Sequence, residues 1–165
     1  MTPPEWEEPL PTLVGRAWAF GIQLTTTDIL PARFADVPST ESRHGLFGDL
    51  DAHFAARLEA GDMLIAEEHQ GTPATAEPAL RALRAAGVVV LAARRFDPAV
   101  ETAALAAGVA PVRVDAPAFL HTGDRLRVDL EAAKIVNLSS GDRAAIRNLD
   151  DERRAALRTM FDRIA

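Results

Sequence analysis

The stretch Leu80-Arg81-Ala82-Leu83-Arg84-Ala85-Ala86-Gly87-Val88-Val89-Val90-Leu91-Ala92-Ala93 decides the fold class. Its first half spaces leucines at a helical interval and stops at a glycine. Its second half is a short apolar, β-branched run of the kind buried on both faces of a sheet. A helix feeding directly into a buried strand is the repeating unit of an α/β domain. Working upstream, the spacing predicts that this helix begins at Thr75 as N-cap, with Glu77 favourable at the positive end and Pro78 tolerated in the first turn. Downstream, Pro98 to Ala107 opens with proline and closes at Gly108, a second helix, and Pro111 to Val114 follows as a strand.

The flanks fit the same plan. Val14 to Phe20 alternates as a strand and leads into a polar turn, Gln23 to Thr27. Asp36 to Gly48 reads as an exposed loop, Asp51 to Glu59 as a short helix, and Met63 to Ala66 as a strand. Arg125 to Leu130 and Lys134 to Leu138 form a hairpin, and Asp150 to Ile164 is an amphipathic helix. Residues 1–12 read as a flexible tail and 13–165 as one α/β domain, a mixed sheet with flanking helices.

At 165 residues and 17.7 kDa the chain suits one core. No apolar run approaches the ~20 residues of a membrane-spanning helix, and the acidic, proline-rich start, Met1 to Glu8, lacks a signal sequence's character. A cytoplasmic location and no membrane association are expected. Net charge is −6 and no basic stripe stands out along the sequence, so no nucleic-acid role is expected. With no cysteine the chain has no thiolate for zinc or an iron–sulfur cluster, and no metal site is expected within it.

Glu67-Glu68-His69 ends a predicted strand and leads into Gly71. Strand ends face the ligand crevice in α/β domains, and His69 with Glu68 makes a candidate general base, its pKa raised by the neighbouring carboxylates. A solvated strand end is the plain alternative. Thr25, Thr26 and Thr27 are candidates to line a pocket with neutral hydroxyls, or form an ordinary turn. Thr72 and Thr75 offer hydroxyls and helix N-terminal amides to a ligand, although simple N-capping by Thr75 is the plainer role. Arg95, beside Arg94 and Asp97, is a candidate cation. His44, His53 and His121 lack metal-ligand spacing and read as surface residues.

Several blocks, Gly15 to Gly21, Ile29 to Phe34, Gly48 to Ala55, Gly61 to Ala66, Ala82 to Ala92, and Gly123 to Leu130 with Asn137-Leu138, resemble isopropylmalate isomerase small subunits and the wider aconitase family over about residues 14–141. The resemblance implies a β/β/α swivelling domain that closes over a large subunit carrying a [4Fe–4S] cluster. It also implies an active-site loop reading Gly-x-Gly-Ser-Ser-Arg-Glu-His, with a serine as base and an arginine holding a substrate carboxylate. Here the corresponding stretch is Gly71-Thr72-Pro73-Ala74-Thr75-Ala76-Glu77-Pro78. Aligned without gaps, Gly71 and Glu77 match, Ala74 replaces the serine base and Ala76 the arginine. The family's acidic Asp-Thr-Asp turn appears as Thr25-Thr26-Thr27, and the arginine of a later segment is absent near Phe96 to Thr102.

Three readings stay open on these residues. One is a divergent small subunit working with a large aconitase-type subunit on a small-molecule substrate, the lyase or isomerase class. Another is a stand-alone, cofactor-free enzyme, homo-oligomeric, that dehydrates, isomerises or cyclises a less charged substrate. The third is a non-catalytic binding subunit.

Overall fold

The computed structural model describes residues 9–115, 117 and 120–164. Strand β1 (Thr12–Ala19) lies at the centre of a seven-stranded sheet. To one side it pairs in parallel with β3 (Met63–Ile65), which pairs with β5 (Val90–Ala93) and then β7 (Ala110–Arg113). To the other side it pairs antiparallel with β8 (Arg125–Asp129), followed by β9 (Lys134–Asn137) and β10 (Arg143–Ala145).

Each of the first three parallel strands breaks and resumes. β1 continues as β2 (Gln23–Thr25), β3 as β4 (Glu68–Gln70), and β5 as β6 (Arg95–Phe96), which together form a second, small parallel sheet in the order β2-β4-β6. Each small strand turns directly into a helix: α1 (Thr26–Ile29), α4 (Pro73–Ala85) and α5 (Pro98–Ala107). Between α1 and β3 the chain holds only short helical turns, α2 (Ser39–Ser42) and α3 (Phe54–Arg57) among them; the latter is all that forms of the expected Asp51 to Glu59 helix. Chain ends of the small strands therefore converge on one edge, where ligands meet open α/β sheets.

Strand alternation divides the core in two. Leu64 and Leu91 face α4 and α5, meeting Leu80, Leu83, Val100 and Ala104. Met63, Ile65 and Val90 face the other way with Leu126, Val128 and Ile135, against Leu157 and Met160 of α6 (Asp151–Ile164). Glu101 of α5 fastens this last helix by accepting from both Arg113 and Arg153.

The expected tail needs revision at its end: Leu10 is buried in the core, its N–H donating to Glu131, and Thr12 already belongs to β1. Residues 1–8 lie outside the described residues. The N-cap of α4 is Thr72, not Thr75, and Pro73 rather than Pro78 takes the first turn. Pro78 lies inside the helix and offers no N–H to the carbonyl of Ala74, an exposed residue one turn earlier.

Candidate functional site

Two capping boxes stand side by side at the edge of the small sheet. At the first, Thr25 Oγ1 accepts from the Asp28 N–H at 3.1 Å while the Asp28 carboxylate accepts from the Thr25 N–H. At the second, Thr72 Oγ1 accepts from the Thr75 N–H at 3.3 Å and Thr75 Oγ1 accepts from the Thr72 N–H at 3.1 Å. The two are joined: Thr26 Oγ1 and Thr75 Oγ1 lie 2.6 Å apart, a short hydrogen bond between residues 49 positions apart in the chain.

Gly71 makes this junction possible. A Cβ added there would sit 2.4 Å from Thr26 Oγ1 and 2.6 Å from its Cγ2, so only glycine lets the two turns approach. The third turn contributes Asp97, whose Oδ2 accepts from the Gly71 N–H at 3.0 Å while its own N–H donates to the His69 carbonyl at 2.9 Å. The structure thus brings together Thr25, Thr26, Thr27, Gly71, Thr72 and Thr75, with Asp97 as a clamp. The only charged groups in this set of bonds are the carboxylates of Asp28 and Asp97.

Other expected site residues lie elsewhere. Glu77 is a turn into α4, on its exposed side, paired with Arg81 at 2.8 Å in a groove between α4 and α5. Glu68 sits on the outward face of the small sheet, where it accepts from Gln70 at 2.9 Å and faces Arg95 at 3.8 Å. These residues, with Asp97 and Arg113, line a polar cleft of about 260 Å³.

His69 requires a correction. It neighbours Glu68 in a strand, so the two side chains point to opposite faces. The imidazole is 1% exposed, stacks on Phe96 at 5.3 Å, and turns Nε2 to the Ala92 carbonyl at 3.2 Å. Burial lowers its pKa to about 4, outweighing the carbonyls of Ala92 and Leu64, which favour the charged ring. The raised pKa expected from Glu67 and Glu68 is therefore reversed, because neither carboxylate faces the ring.

Ala74 is exposed at the mouth of the second turn, whereas Ala76 is 0% exposed, packed among the core residues Ala79 and Leu80. In this packing an arginine at position 76 would have no route to the turn edge. Among the described residues no group of three or more histidines and carboxylates is placed to hold a metal ion, and the absence of cysteine leaves an iron–sulfur cluster without ligands from this chain.

A small-subunit 2 of 3-isopropylmalate dehydratase from Archaeoglobus fulgidus is 32% identical over 131 residues, which span 78% of this chain and 79% of that protein. The chain belongs to the 3-isopropylmalate dehydratase small-subunit family. A small subunit of the same name from Moorella thermoacetica is 31% identical, with 78% of each chain covered. The same fold is seen in the crystal structure of a 3-isopropylmalate dehydratase from Methanocaldococcus jannaschii, which superposes with a TM-score of 0.80 over 93% of this chain and 96% of that one, at 20% identity. No family model matches the chain. The expected β/β/α swivelling class and its mixed sheet are those observed.

Asp97 and Asp28 escaped the reading of the sequence as site residues. An Asp-Pro at the start of the predicted helix 98–107 was the available signal for the first, and a Thr-x-x-Asp capping pattern at Thr25 for the second.

Proposed function

We propose that this chain is the small, swivelling subunit of an aconitase-type hydro-lyase, acting with a cluster-bearing large subunit on a substrate less charged than isopropylmalate. The observation that carries the reading is the Thr26–Thr75 contact at 2.6 Å, which builds the edge where three strand-to-helix turns meet out of neutral hydroxyls. Membership of a family of dehydratase small subunits supports the reaction class. Among the described residues the hydrogen bonds of the turn cluster include no cation, which supports the altered substrate, since a carboxylate brought there would meet Asp28 and Asp97.

The work of this chain is then binding and orientation. Thr27 and Thr72 are exposed at the edge and present hydroxyls that donate or accept, which suits alcohol or amide groups on a substrate. The α4 N-terminus adds partial positive charge without a full cation. Any cluster chemistry is supplied by the partner subunit.

Co-expression with the large subunit of the same genome tests the reading. The pair forms a stable complex that is active, and this chain alone is inactive. Turnover by the purified chain alone would replace the reading with that of a stand-alone enzyme.

A further inference from the structure

The sequence shows no basic stripe, yet strand pairing builds one. Arg127 of β8 and Arg143 of β10 are both paired with Val136 of β9, one from each side, so all three share a face. Arg125 lies two residues from Arg127 on the same side of β8, and Lys134 lies two residues from Val136 on β9. Among the described residues, none of these four side chains makes a hydrogen bond or ion pair. Among the described residues of β8, β9 and β10, Asp129, paired with Lys134, is the one carboxylate.

The same sheet face changes character along its width. On the parallel half it is apolar and covered by α4 and α5; on the antiparallel half, beyond β1, it is cationic, with Arg125 and Arg143 exposed, Arg127 and Lys134 half-buried and Val136 buried between the two central arginines. Apolar side chains interrupt it: Val14 is 41% exposed, and Leu138, next in alternation after Val136, is 43% exposed. Four unpaired cations beside exposed aliphatic groups, on a chain of net charge −6, mark a local departure from the rest of the surface.

We propose that this cationic face, centred on Arg127 and Arg143, is the docking surface for an acidic face of the large subunit. The inference rests on the two-subunit reading above. Two-fold pairing of copies is disfavoured, because it would set the arginines of one copy against those of the other. Nucleic acid fits poorly: among the described residues β8, β9 and β10 carry no aromatic side chain to stack a base, and the net charge repels a polyanion. Placement suits a swivelling subunit as well. The face lies along the first half of β1, whereas the threonine cluster follows β2, so the same partner can hold the chain here while substrate meets the threonine turns.

The test measures affinity for the purified large subunit by calorimetry at about 50 and about 300 mM NaCl. Arg127→Glu/Arg143→Glu is expected to weaken binding by about 100-fold at low salt and to flatten the salt dependence, while Arg127→Lys/Arg143→Lys stays within a few-fold of the native chain. Thermal unfolding of the isolated charge-reversed chain is expected to be unchanged or raised, since reversal relieves repulsion on the face. A native complex that the charge-reversed variant forms equally well overturns this proposal and leaves the two-subunit reading standing. Absence of any native complex overturns both. Salt-dependent self-association, or binding of a short single-stranded oligonucleotide, lost in the charge-reversed variant would assign the face to a second copy or to nucleic acid instead.

Discussion

Thr26 and Thr75 share a 2.6 Å hydrogen bond that joins the first turn of α1 to the first turn of α4, and Thr26 is buried beneath it. Thr75→Val takes away the bond that Thr26 Oγ1 makes, while Thr26→Val leaves Thr75 Oγ1 only its contacts with Thr72. Thr26→Val and Thr75→Val should each lower stability by about 1–2 kcal/mol, and the double variant should cost less than their sum by about 0.5–1.5 kcal/mol. Urea unfolding of the four proteins measures this, and strict additivity would mean that the contact carries no coupling.

Gly71 is fixed by steric contact with the same threonine. Gly71→Ala is expected to destabilise by about 1–3 kcal/mol, since the added methyl must displace Thr26 or the turn. Combining it with Thr26→Ala, which removes the two nearest atoms, should recover part of the loss. An alanine tolerated at full stability in the native background would show that the turns do not pack this closely.

Asp97 holds the Gly71 amide from the third turn. Asp97→Ala should speed hydrogen exchange at the Gly71 N–H and cost about 0.5–1.5 kcal/mol, while Asp97→Asn, which keeps an acceptor oxygen, should restore most of the protection. Unaltered exchange at Gly71 in the alanine variant would remove the clamp.

Burial of His69 gives a pH signature with a defined sign. Its pKa is about 4 in the folded chain against 6.5 for the exposed group, so the unfolded state binds the proton more readily. The contribution is constant above the unfolded value and is lost as pH falls from about 6.5 towards 4, about 3 kcal/mol in all. His69→Phe should be less sensitive than the native chain across that window, as read from urea midpoints at a series of pH values. Identical pH profiles would place the ring in contact with water.

Much of the fold is legible in the sequence because its long elements carry strong periodicity: α5 ends at Gly108, whose φ of 93° only glycine adopts easily, and the β8–β9 hairpin alternates cleanly. The small sheet is not legible, since β2, β4 and β6 have two or three residues each, too few to show a period. That loss decides the site. Missing β4 hides that His69 and Glu68 point apart, and missing β6 hides why Asp97 stands beside Gly71. The N-cap of α4 was misplaced because two prolines, Pro73 and Pro78, both suit a first turn. The cationic face depends wholly on register, which relates Arg127 to Arg143 through Val136 and leaves no trace along the chain.

The Thr26–Thr75 edge meets substrate with hydroxyls and no bonded cation, and substrate preference tests this most directly. The measurement is kcat/KM of the reconstituted two-subunit complex for isopropylmalate and for analogues in which one carboxylate is a carboxamide. A carboxamide analogue is expected to be the better substrate, and a preference for the dicarboxylate of about 100-fold or more, the margin a carboxylate-binding cation confers, would contradict a hydroxyl-lined edge.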